Sequence, residues 1–164
     1  MYYRLPVNVG FVTLAIRDER ADVTSYLDLD TGGVFTLPLG EDGEPLDEGL
    51  GCRLRHALWE HPERFITIDP LTDLEKRIFI AEFAGGLTDE YLRRRLRKAS
   101  EAEAPLDACD EILRPYSELR GLWHERLARF LLSAVRELLR ENAIEPQIIP
   151  NDIYPQLINL CGRF

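Results

Sequence analysis

About 70 residues into the chain, the spacing of apolar side chains shifts from strand-like alternation to helical stripes. Ser25-Tyr26-Leu27-Asp28-Leu29-Asp30 alternates polar with apolar, as does Val34-Phe35-Thr36-Leu37. Between them Asp30-Thr31-Gly32-Gly33 supplies a turn whose glycines can take positive φ. The pattern predicts a β-hairpin, with Leu27 and Leu29 toward the core and Asp28 and Asp30 on the opposite side. Arg64-Phe65-Ile66-Thr67-Ile68, stopped by Asp69-Pro70, predicts a third strand. Residues Val7 to Arg17 satisfy two templates. Their β-branched members favour a strand, while Val7, Phe11, Leu14 and Ala15 share one helical face. A short helix is expected from Cys52 to Glu60, before Pro62.

Beyond Pro70 the pattern is helical. Thr72 and Glu75 have the spacing of a capping box, followed by an apolar stripe of Leu74, Ile78, Phe79 and Phe83 and a stop at Gly85-Gly86. Thr88 is the expected cap of the next helix, which turns Tyr91 and Leu92 inward. Pro105 to Arg114 predicts another. The longest predicted helix runs from Ser117 to Asn142, with Trp123, Leu127, Phe130 and Leu138 facing the core. These elements amount to an α+β fold: a small antiparallel sheet, hairpin plus one strand, packed against four to six helices. Residues 1–146 form a single domain in this reading, and 147–164 form an apolar extension.

Composition narrows the class. The 164 residues are 45% hydrophobic and 30% charged, which suits a globular domain. No apolar run is long enough to span a bilayer, and Met1 to Pro6 lacks the features of a signal peptide, so a cytoplasmic protein is expected. Three cysteines, Cys52, Cys109 and Cys161, with no metal-ligand spacing, suit a reducing compartment. The net charge of −9 is uneven: residues 1–52 carry ten acids against three bases. Such a surface argues against general binding to phosphate backbones. The glycine- and acid-rich segment from Gly40 to Gly51 predicts a solvated loop.

Three stretches, in order, carry a likeness to a known family. They are Tyr26-Leu27-Asp28-Leu29-Asp30-Thr31-Gly32-Gly33-Val34; Arg64-Phe65-Ile66-Thr67-Ile68 followed by Phe83; and Trp123-His124-Glu125-Arg126 leading to Glu137-Leu138-Leu139-Arg140-Glu141-Asn142-Ala143-Ile144-Glu145-Pro146. Together they resemble a bacterial family catalogued only as uncharacterised protein family 0158. Leu106 and Cys109 stand where that family has aromatics. The resemblance spans roughly residues 7–146; it supports the fold and implies no activity.

Candidate chemistry is sparse. His56 and His61 are five residues apart, so they do not share a helical face, and no third ligand sits at metal spacing. His124 has no nucleophile or acid placed beside it by sequence. Asp28 and Asp30 share one strand face and could hold a cation or share a proton, the basis of a hydrolase reading. Arg93, Arg94, Arg95, Arg97 and Lys98 form the densest charge feature, a candidate interaction patch for an acidic partner or a nucleic acid. Ile149, Ile153, Tyr154, Leu157 and Phe164 make the C-terminal tail too apolar for a solvated terminus, and suggest docking onto the domain or a partner. No cofactor motif occurs, and neither metal nor cofactor is expected. The leading expectation is a non-enzymatic protein that binds another protein or itself. The alternatives are a nucleic-acid-associated regulator using Arg93–Lys98 and the hydrolase on Asp28 and Asp30.

Overall fold

A computed structural model describes residues 3–40 and 50–146. The tail positions Ile149, Ile153, Tyr154, Leu157 and Phe164, and most of the acidic loop, lie outside the described residues. In chain order the elements are β1 (Tyr3–Leu5), α1 (Val9–Arg17), β2 (Val23–Asp28), β3 (Val34–Pro38), α2 (Leu50–Glu60), a 3-10 turn at Pro62–Arg64 and β4 (Phe65–Ile68). They continue with α3 (Asp73–Gly85), α4 (Glu90–Ala99), α5 (Pro105–Leu113), α6 (Ser117–Glu141) and β5 (Ile144–Pro146). The fold is mixed α+β and mostly helical, with the expected antiparallel sheet.

The described residues cluster into two compact units, one up to Pro70 plus those from Leu131 onward, the other Leu71–Phe130. In the first, the sheet order is β3-β2-β4, all antiparallel, so the hairpin and the predicted third strand share β2 as the central strand. The register sets Tyr26 opposite Phe35 on one side and Thr67 on the other. Leu27, Leu37 and Ile68 of the sheet segments are buried, as are Val12 and Ile16 of α1 and Val135 and Leu139 of α6. Residues Val9 to Arg17 resolve as a helix despite their β-branched side chains. The Asn8 side chain accepts the Phe11 amide at 3.2 Å and so starts the helix, while Val9, Val12 and Ile16 bury one face. A parallel pairing of β1 with β5, Tyr3 opposite Ile144, joins the first and last described elements of this unit. Three-residue strands leave too little periodicity for the sequence to have shown it.

The second unit is helical. Its core is Ile80, Phe83, Leu92, Leu96, Leu106, Cys109, Leu113, Trp123 and Leu127, all 2% exposed or less. The Phe79 ring centroid lies 5.1 Å from those of both Trp123 and Phe130, and Phe83 and Trp123 form a T-shaped pair with centroids 5.1 Å apart. Leu106 and Cys109 thus occupy interior positions, where smaller side chains still fill a packed core.

The helical caps and stripes follow the expected pattern at some positions and depart from it at others. The capping box forms: the Thr72 hydroxyl accepts the Glu75 amide at 3.2 Å, and the Glu75 carboxylate accepts the Thr72 amide at 2.8 Å. The next helix is capped by Asp89, which accepts the Leu92 amide at 3.0 Å, and not by Thr88, because the carboxylate sits one residue nearer the first turn. Leu74, Ile78 and Tyr91 are exposed, where a core role is predicted, and Phe130 and Leu138 are only half-buried. Asp28 lies opposite Leu27 across the strand as expected, yet is buried; the reason lies in its partners.

Candidate functional site

Asp28, at the end of β2, is only 2% exposed. Its Oδ1 accepts Arg64 Nε at 2.7 Å and the Asp30 amide at 3.0 Å; its Oδ2 accepts Arg64 Nη2 at 2.7 Å and the Thr31 hydroxyl at 2.8 Å. Asp30 stays exposed, with its carboxylate 3.1 Å from Arg64 Nε. The Arg64 fork holds the Asp28 carboxyl down at about 2; burial opposes this, and the Asp30 amide and Thr31 hydroxyl reinforce it. A group this acidic is a poor general base near neutrality, since proton transfer favours a group that titrates near the working pH. What the cluster does is fasten the hairpin turn to the start of β4, where Leu29 N–H also donates to the Arg64 carbonyl at 2.8 Å. Gly32 completes the turn with φ of 71°, and a Cβ there would lie 2.7 Å from the Pro6 carbonyl oxygen. The Asp-x-x-Thr-Gly pattern therefore has a structural explanation at each fixed residue.

The arginine-rich patch lies on α4, whose inner side is Leu92, Leu96 and Ala99. Glu90 engages both Arg93 and Arg94, and the Arg95 guanidinium lies 5.7 Å over the Tyr91 ring. Arg94, Arg95, Arg97 and Lys98 are exposed. His56 and His61 are exposed beside Glu60 at 3.1 Å and Glu63 at 3.4 Å. Among the described residues, no three His, Cys, Asp or Glu side chains gather as a metal ion would need.

One buried cluster was not legible in the sequence. Asp110 on α5 accepts Arg120 at 3.0 and 2.7 Å and lies 2.6 Å from His124 Nε2, both partners coming from α6. Burial pushes the Asp110 carboxyl up, but the Arg120 and His124 contacts together outweigh it and leave it below its ordinary value. Arg120 and His124 are four apart on one helix, which the sequence displays; that they share an acid on another helix leaves no local signal. The His124 side chain is 12% exposed, so the cluster acts as a clamp between α5 and α6.

The most unusual surface is the outer side of α3. Its inner side is Lys76, Phe79, Ile80, Phe83 and Ala84. At ~100° per residue, Leu74, Ile78, Ala81 and Gly85 fall on the side directly opposite, and all four are exposed. Leu74 is 67% and Ile78 50% exposed. Arg77 flanks this outer stripe on one side, Glu75 and Glu82 on the other, all exposed. A solvated helix face would be polar; this helix has a second apolar seam.

No family profile matches the chain, and no solved structure matches it. Among curated proteins, the chain is 25% identical over 141 residues to the UPF0158 protein PA5073 of Pseudomonas aeruginosa, covering 86% of this chain and 87% of that protein. This likeness supports the resemblance to uncharacterised protein family 0158 and brings no activity with it. No helix among the described residues is long and apolar enough to cross a membrane.

Proposed function

We propose that this chain, alike over most of its length to a protein of an uncharacterised family, is a non-enzymatic cytosolic protein that works by binding protein through the outer face of α3. The observation that supports the reading is the pair Leu74 and Ile78, one helical turn apart, held outward by a helix whose other face is fully packed. Exposed apolar side chains scattered singly are ordinary; a contiguous stripe with charged flanks has the layout of an interface core and its rim. The buried carboxylates of Asp28 and Asp110 are each engaged by an arginine, which favours a structural role for both.

The test is affinity capture from native cytosol, with the wild-type chain and Leu74→Arg/Ile78→Arg compared side by side. Proteins retained by the first and lost with the second are expected, with unchanged far-UV circular dichroism. An identical set retained by both would overturn the reading.

A further inference from the structure

We infer that the occupant of the outer α3 face is a second copy of this chain, the two α3 helices packing side by side and parallel about a two-fold axis. The inference rests on the protein-binding reading and adds the partner and its orientation. Leu74, Ile78, Ala81 and Gly85 are spaced four, three and four residues apart, the rhythm of a coiled-coil seam. In that repeat Leu74 takes a d position and Ile78 the following a position. Leucine at d with a β-branched residue at a is the combination that favours two parallel strands. Ala81 and Gly85 continue the seam with almost no side chain, so the helices can converge toward their C-terminal ends. Around Gly85 there is room for this, since a Cβ placed there would meet nothing within 4 Å.

The flanking charges choose the direction. Arg77 falls at a g position and Glu82 at the e position five residues on. In a parallel pair, g of one helix faces e of the next heptad on its partner, so each Arg77 meets the partner's Glu82, twice by symmetry. An antiparallel pair would bring the Glu75 and Glu82 side of one helix against the same side of the other, where acid meets acid. Glu75 is already engaged with Thr72, which leaves Glu82 free to face across the seam. One thirteen-residue helix offers a seam at the small end of stable interfaces, so the dimer should dissociate on dilution.

Light scattering on the full chain over a wide concentration range is expected to rise from 18.9 kDa toward twice that mass. Ile78→Arg should remain at the monomer mass with unchanged circular dichroism. Arg77→Glu and Glu82→Arg should each abolish the dimer. Their double variant, and an equimolar mixture of the two singles, should restore it, because both arrangements rebuild opposite charges across a parallel seam. A wild-type chain that stays monomeric overturns the dimer, and the capture comparison then decides separately whether α3 serves another protein. A dimer indifferent to Ile78→Arg overturns it too, by placing the interface elsewhere. Loss of the dimer in both singles without recovery in the double overturns the parallel register. If the wild type is monomeric and Ile78→Arg speeds amide exchange at residues 147–164, the chain's own tail is the occupant, and the two-fold pairing is likewise overturned.

Discussion

Replacing Asp28 by Asn tests the clasp at its centre, because Asn keeps the shape and removes the charge. The wild-type carboxyl titrates at about 2 in the folded chain against an ordinary 3.8. At 1.36 kcal/mol per unit, that difference corresponds to ~2.5 kcal/mol of stability supplied by the ionised form. A neutral amide resembles the protonated acid, so Asp28→Asn should cost ~2.5 kcal/mol at pH 7. The sign follows from the depressed value. The contribution is complete above 3.8 and is lost as pH falls through about 2, so acid should erase the wild-type advantage. At pH 3 roughly half of the gap, ~1.3 kcal/mol, should remain. Urea unfolding followed by circular dichroism at pH 7, 4 and 3, at constant ionic strength, gives the gap directly. A gap under ~0.5 kcal/mol at pH 7, or one that is the same size at pH 3, would refute the reasoning.

Four further outcomes are expected. Gly32→Ala should destabilise by ~1–3 kcal/mol, since φ is 71° and the added Cβ would press on the Pro6 carbonyl; a neutral result in thermal unfolding would contradict it. Leu127→Ala should cost ~2–5 kcal/mol and more than Phe130→Ala, because Leu127 is fully buried and Phe130 half-buried; the reverse order in urea melts would count against the packing described. Asp110→Ala should cost ~3 kcal/mol by leaving Arg120 and His124 without their shared acid, and a cost below ~1 kcal/mol by chemical denaturation would show that the clamp is idle. Deleting residues 147–164 should lower the melting temperature and solubility, given eight large apolar side chains from Ile148 to Phe164; no change in either would show the tail to be dispensable.

Which features were legible depended on how local their causes are. The hairpin, its third strand and the capping box rest on neighbours within a few residues, so alternation, turn glycines and the Thr72–Glu75 spacing exposed them. Val9 to Arg17 fits both templates by pattern because its β-branched residues favour a strand; the deciding facts are a cap at Asn8 and a packed inner face. The arginine partners of Asp28 and Asp110 are hidden for a different reason. Each joins residues at least ten positions apart, and an acid gives no sign in sequence of which arginine it will meet.

The α3 helix shows most clearly where pattern reading stops. A stripe of Leu74, Ile78, Phe79 and Phe83 is a fair reading of apolar content, but it merges two faces: Phe79 and Phe83 point one way, Leu74 and Ile78 the other. Periodicity reports that apolar residues recur; it does not say which stripe the chain's own core will take when a helix carries two. Phe79 and Phe83 win because Trp123 offers both an aromatic partner at 5.1 Å, and the surface left over is the smaller, flatter set of Leu74, Ile78, Ala81 and Gly85. A seam of that size is too short to hold two chains together irreversibly and too apolar to be indifferent to a partner. A reversible contact follows from that balance, one that concentration can switch and a single charge at Ile78 should abolish.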